Sequence, residues 1–158
     1  LRPAAVFGAG GQALRTLVAS LRNGSRLANY ARASLFGRRA MHLVPVETVV
    51  AALLFLCARR EALHGEVFIV AEDDAPLNNF RDVERALLAA LHRPDYPLPP
   101  LPLPAGLLAA LLRLRGRSEL DPHCRYSAAK LRAQGFAPPV AFAAALAAQA
   151  ERLAGEAA

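Results

Sequence analysis

Short apolar runs alternate with helical periods along this chain, and that alternation constrains the fold more than any other feature. The run Leu1-Arg2-Pro3-Ala4-Ala5-Val6-Phe7 is partly β-branched and ends at Gly8-Ala9-Gly10-Gly11, which reads as a buried strand running into a turn. A helix is predicted next, because Leu14, Leu17, Val18 and Leu21 recur at i, i+3, i+4 and i+7 before Asn23-Gly24. Ser25 to Arg39 has no clean period and is expected to be a loop or a substrate-facing segment. Met41 to Val44 reads as a brief strand, and Pro45 suits a helix start because its missing N–H is not needed there. Val46, Val49, Val50, Leu53, Leu54 and Cys57 then make a wide apolar stripe, with Arg59 and Arg60 expected in the last turn, opposing the negative end of the helix dipole. After Gly65, Val67-Phe68-Ile69-Val70 is apolar on both alternating faces, as in an interior strand of a covered sheet.

Beyond that strand, Glu72 to Asn79 is a turn-rich loop, and Asn79 with Asp82 three residues on is set to cap a helix with Val83, Ala86, Leu87, Ala90 and Leu91 on its core face. His92 to Pro104 holds six prolines, too many for a helix or central strand, and is predicted to be an extended linker. A leucine-rich helix from Ala105 to about Arg115, a short one from Ser127 to Gln134 stopped by Gly135, and a last one from Pro139 to Leu153 complete the reading. Strands separated by helices give an α/β class, yet two good strands are too few for a complete sheet of this kind. Further strands are expected from preceding polypeptide. The opening residues agree, since they carry no initiator Met, no basic n-region and no small-residue cleavage site.

A chain of 158 residues with 54% hydrophobic content can form an ordinary domain, which argues against disorder. Cys57 and Cys124 lie far apart without the spacing of a zinc or redox pair, and are expected to be reduced thiols in a cytoplasmic protein. The longest apolar windows fall short of the ~20 residues a spanning helix needs, so no membrane segment is predicted. The net charge of +6 is regional: Leu1 to Val46 carries seven Arg and no acid, the remainder twelve basic and thirteen acidic residues. Such a patch suits an anionic ligand. Eighteen of the nineteen basic residues are Arg in an Ala-rich chain, so a GC-rich genome and solvated helix faces account for the same arginines more simply.

Four segments in order resemble the C-terminal half of extended short-chain dehydrogenases/reductases, the NAD-dependent epimerase/dehydratase family. They are Leu1 to Gly8 against L-R-P-x-N-V-Y-G-P, Met41 to Leu53 around His42-Leu43-Val44-Pro45 against H/P-V-D-D-V-x-x-A-L, Gly65-Glu66-Val67-Phe68-Ile69-Val70 against G-E-x-Y-N-V, and Ser127 to Pro138 against S-x-x-K-x-x-x-L-G-F-x-P. The resemblance implies the C-terminal portion of a Rossmann-like, doubly wound fold over residues 1–91 with a substrate-loop insertion at about 24–45, a Pro-rich linker at 92–104, and a mostly helical substrate lobe at 105–158, with the sheet incomplete in this chain. It places Pro3 and Ala4 at the nicotinamide of NAD or NADP, which the absent N-terminal half would mainly bind. Ala5, Arg39, His42 and Arg117 are the implied contacts to a nucleotide-sugar or related carbonyl substrate. Arg117 holds that place by spacing, thirteen residues before Lys130, and is otherwise a surface arginine in a loop; His42 is otherwise a half-buried strand residue. The implied partners are a small-molecule substrate and the missing half, with a homodimer also compatible. Three positions depart from the pattern: the family Asn is Ala5, its Tyr is Phe7, and its Arg falls on Met41 rather than on Arg38 or Arg39. These losses point away from an ordinary UDP-sugar.

No catalytic residue is assigned within the chain. Tyr126-Ser127-Ala128-Ala129-Lys130 spells the family's Tyr-x-x-x-Lys motif, in which Lys lowers the Tyr pKa, but it lies about 120 residues after the Leu-Arg-Pro strand that the motif should precede. Lys130 is read instead as a capping or salt-bridging residue. His42, His64, His92 and His123 have no metal spacing, Asp73 and Asp74 read as solvated turn formers, and Gly8-Ala9-Gly10-Gly11 lacks the spacing of G-x-G-x-x-G. The rival reading is a non-catalytic basic module for nucleic acid or a membrane surface. Three Tyr and no Trp argue against single-strand stacking, and neither partner is expected.

Overall fold

The computed structural model describes residues 1–59, 65–99 and 124–156. Its strands are β1 (Arg2–Pro3), β2 (Ala5–Phe7), β3 (Leu43–Pro45) and β4 (Ile69–Val70); its helices are α1 (Gln12–Asn23), α2 (Arg26–Phe36), α3 (Val46–Cys57), α4 (Phe80–Ala90), α5 (Ala129–Ala133) and α6 (Phe142–Gly155). The fold is α/β, with two small parallel ladders: β1 beside β4, Arg2 opposite Ile69, and β2 beside β3, Ala5 opposite Leu43. Both ladders use one continuous run. The amides of Arg2 and Ala4 donate to Phe68 and Val70, at 2.8 and 2.9 Å, whereas the amide of Ala5 donates to His42 at 2.8 Å. Successive amides of an extended strand point to opposite edges, so β4 and β3 flank residues 2–7 on opposite sides.

Alternating side chains divide the interior in the same way. Phe7 and Leu43 join Leu14, Leu17, Val83, Leu87, Phe142 and Leu146 in one apolar cluster. Val44 joins Ala52, Phe68, Val70, Leu131 and Phe136 in another, against which Ala4 packs. Helices therefore cover both faces of the strands: α1, α4 and α6 on one, α3 and α5 on the other. The turn between β2 and α1 permits this at Gly8, where φ is +153° and a Cβ would meet Val46 Cγ1 at 2.5 Å. Arg152 of α6 donates to the Gly8 carbonyl at 2.9 Å and ties the last helix to that turn.

Several elements form as their patterns predict. Leu14, Leu17, Val18 and Leu21 are all buried on α1. Asn79 caps α4 by accepting from the Asp82 amide at 3.0 Å, and its own Nδ2 donates to Asp82 Oδ2 at 2.7 Å. Other expectations need correction. Residues 26–36 are helix, not loop; Ser25 Oγ accepts from the Ala28 amide, and the buried face is Asn29 and Ala33, too small and polar to register as an apolar period. Asn29 hooks α2 to α1 through Ser20, donating to its carbonyl at 2.9 Å.

On α3 the apolar stripe is not the buried face. Thr48 and Ala52 are buried, while Val50, Leu53 and Leu54 are 48%, 46% and 66% exposed. Arg59 lies beyond the helix, which ends at Cys57; its guanidinium binds the Gln134 side chain and carbonyl at the end of α5 instead of compensating a dipole. The first and last strands are also less covered than predicted. Only Phe7 of residues 1–7 is buried, and around β4 Phe68 and Val70 are buried while Val67 is 45% exposed. The helix expected at Ala105 to Arg115, the end of the Pro-rich linker, Arg60, His64, His123 and Arg117 lie outside the described residues.

Candidate functional site

Where the run of residues 2–5 passes between β4 and β3, a cleft of about 510 Å³ opens, lined by Arg2, Pro3, Ala4, Ala5, Met41, His42, Ile69 and Tyr126. Small side chains at Ala4 and Ala5 and the flat ring of Pro3 leave its floor open. His42 enters from the residue just before β3. Its backbone has φ +55°, a left-handed conformation uncommon outside glycine, and its carbonyl is fixed by the Ala5 amide.

The imidazole of His42 is held from below. Nδ1 lies 2.6 Å from Asp73 Oδ2, and the side chain of Asp73 is 1% exposed against 18% for His42. The same Oδ2 accepts the Tyr126 amide proton at 2.7 Å, and the Asp73 carbonyl accepts from Arg125 Nη1 at 3.2 Å. The Tyr126 ring meets the imidazole edge to face with centroids 4.8 Å apart. The loop after β4 and the segment before α5 thus converge on one histidine.

Adjacent acids divide their roles sharply. Asp73 is buried, and its Oδ1 has no hydrogen-bond partner among the described residues. Asp74 is exposed and forms a two-pronged pair with Arg132, whose hydrogen bond holds the Asp74 carboxyl below its usual range. Glu72 turns inward, where burial raises its carboxyl above the ordinary value and the Thr48 hydroxyl, donating at 2.9 Å, partly opposes that rise. The expectation that Asp73 and Asp74 are both solvated turn formers is therefore corrected for Asp73.

Of the residues singled out in the sequence, Pro3, Ala4, Ala5 and His42 line this one cleft. Arg39 does not: it sits half-buried after α2, where its carbonyl accepts from the Phe80 amide at 3.0 Å, and it is not among the lining residues. Arg117 is outside the described residues. Lys130 makes a salt bridge with Glu66 at 3.5 Å and lies over the Phe68 ring. Asp73 and Tyr126 complete the site without having been chosen as site residues. The local signs were an acid at a strand exit and a Tyr-x-x-x-Lys spelling set aside for its position, and neither points to His42, since their meeting depends on residues 31 and 84 positions from it being folded together.

No group of His, Cys, Asp and Glu able to hold a metal occurs among the described residues, and none of their helices is long and apolar enough to cross a membrane. Comparison of the chain with protein-family models, curated proteins and solved structures gives no match.

Proposed function

We propose that this chain is the substrate-side, C-terminal half of an NAD(P)-dependent epimerase, dehydratase or reductase, built on a Rossmann-like fold and acting on a nucleotide-sugar or related carbonyl compound. One observation carries the reading. The positions that the family resemblance assigns to the nicotinamide, Pro3 and Ala4, and to the substrate, Ala5 and His42, share a single cleft although His42 is 37 residues from Ala5. The parallel pairing and the helices on both faces of the strands suit such a fold.

The residues present fit one wall of a nicotinamide site. Pro3 and Ala4 offer a flat, apolar surface without bulky side chains, and Arg2 brings a cation to the same cleft. The nicotinamide, when bound, supplies the hydride acceptor or donor. The chain's own contribution is to orient the substrate against that wall, with the His42 ring fixed by Asp73 and Tyr126 so that little ordering remains to be done on binding. Apolar surface at Val50, Leu53, Leu54 and Val67 stands ready for further polypeptide to cover.

The basic-module alternative gains no such support. Arg15 is paired with Glu156 at 2.8 Å, Arg26 donates to the Asp95 carbonyl at 2.7 Å, and Arg32 donates to Asn29 at 2.7 Å, so these cations serve contacts within the chain. The test is turnover by the chain assembled with the polypeptide encoded upstream of Leu1. Conversion of a nucleotide-sugar is expected, redox-neutral with bound NAD(P) for an epimerase or dehydratase and with NAD(P)H consumed on a keto-sugar nucleotide for a reductase, and filling the cleft floor by Ala5→Trp is expected to cut kcat/KM by about a hundredfold or more. Turnover unaffected by Ala5→Trp would place the substrate elsewhere.

A further inference from the structure

The His42–Asp73 pair has a geometry that a purely binding role does not require. An ionised Asp73 offers acceptor sites only, and its Oδ2 takes the Tyr126 amide proton, so with Asp73 ionised Nδ1 of His42 must be the donor in their 2.6 Å contact. The neutral ring is then the Nδ1–H tautomer. Nε2 is then the basic nitrogen, and it has no hydrogen-bond partner among the described residues, while the ring carrying it lines the cleft. The carboxylate behind it is nearly fully buried, with one oxygen shared by two donors and the other without a partner among the described residues. Burying a carboxylate in this way is costly unless a positive charge forms beside it. A positive-φ backbone at His42 adds strain that the surrounding bonds must hold.

We infer that His42 is a proton-transfer residue of this cleft and that Asp73 is its positioning partner, serving a ligand that presents a hydroxyl group to Nε2. In the step, the ligand O–H bond breaks and an Nε2–H bond forms. The electron pair stays on the ligand oxygen, the ring becomes imidazolium, and Asp73 remains ionised and faces the new charge. The other groups around the ring are the Tyr126 hydroxyphenyl, stacked edge to face, Arg125 on the Asp73 carbonyl, Arg2 across the cleft, and Glu72, which is turned away to Thr48. The inference deepens the proposed function by giving the cleft a proton acceptor, but it relies on that reading only for the ligand's identity.

Its test needs no ligand. Long-range proton–nitrogen spectra of the labelled full chain should show His42 as the Nδ1–H tautomer, and Asp73→Ala, which removes the one oxygen that Nδ1 and the Tyr126 amide share, should release the ring to the Nε2–H tautomer that a free imidazole favours. Acylation of histidines by diethyl pyrocarbonate, followed by peptide mass, should modify His42 at least as fast as exposed His92, and Asp73→Ala should slow His42 by about tenfold or more while leaving His92 unchanged. An Nε2–H tautomer in the parent chain, or acylation of His42 slower than His92, overturns the inference. Should Asp73→Ala fail to fold, those two parent measurements decide it. Failure of the assembled protein to convert a nucleotide-sugar would leave the tautomer and the acylation rates untouched, so the two readings fail separately.

Discussion

The Asn78 side chain meets both polar groups of Leu43: its Oδ1 accepts from the Leu43 amide at 3.1 Å, and its Nδ2 donates to the Leu43 carbonyl and to the Glu72 carbonyl, each at 2.9 Å. One side chain thus stands in for a neighbouring strand along the outer edge of β3. Removing it strands buried backbone groups, which cost roughly 1–3 kcal/mol apiece. Asn78→Ala is expected to lower the unfolding free energy by about 2–4 kcal/mol in urea titrations, with Asn78→Asp no better because it can no longer donate. A second residue-scale prediction concerns Glu84, which is fully buried on α4. Burial raises its carboxyl above the ordinary 4.5, against the Tyr96 hydroxyl that donates to it and the nearby Arg81. A raised folded pKa means the folded state holds the extra proton, so stability declines as pH climbs from the unfolded value through the folded one. Glu84→Gln keeps an acceptor for Tyr96 and removes that titration. Denaturation curves should show the variant gaining on the parent above about pH 4.5 and no gain below it.

At the scale of elements, α3 separates what a pattern shows from what packing decides. Its first residues read correctly, because Pro45 at the cap and the apolar run after it leave few alternatives. Its buried face did not, since nearly every position is apolar and Thr48 and Ala52, the two that are fully buried, are the least conspicuous members, with Val49, Ala51, Phe55 and Leu56 packing beside them. Ala52→Leu is expected to cost about 1–3 kcal/mol by overpacking, whereas Leu54→Ser should stay within about 0.5 kcal/mol; thermal unfolding of the two variants checks the assignment. Helix α2 was hidden for the converse reason, with an interface of Asn29 and Ala33 that contributes fit and hydrogen bonds but little hydrophobic contrast. Helices α1 and α4 were legible because each carries a full apolar face together with a turn or cap signal. In the candidate site, Pro3, Ala4, Ala5 and His42 could be named from short segments. Asp73 and Tyr126 could not, because only the folded chain brings the loop after β4 and the segment before α5 beneath the imidazole.

For the whole molecule, two apolar clusters lie on opposite faces of a few short parallel strands, and the last helix packs in the same cluster as Phe7 and Val83. The surface left over is not evenly polar: Val6, Val50, Leu53, Leu54 and Val67 are all exposed. On the proposed reading these are surfaces shaped to meet preceding polypeptide, which would also supply a second wall to the cleft between β4 and β3. Binding of reduced nicotinamide, followed by its fluorescence with the chain alone and with the chain assembled with the polypeptide encoded upstream of Leu1, tests this most directly. Saturable binding by the assembly and none by the chain alone is the predicted result. Equal binding by the chain alone, or none by a folded assembly, would contradict it.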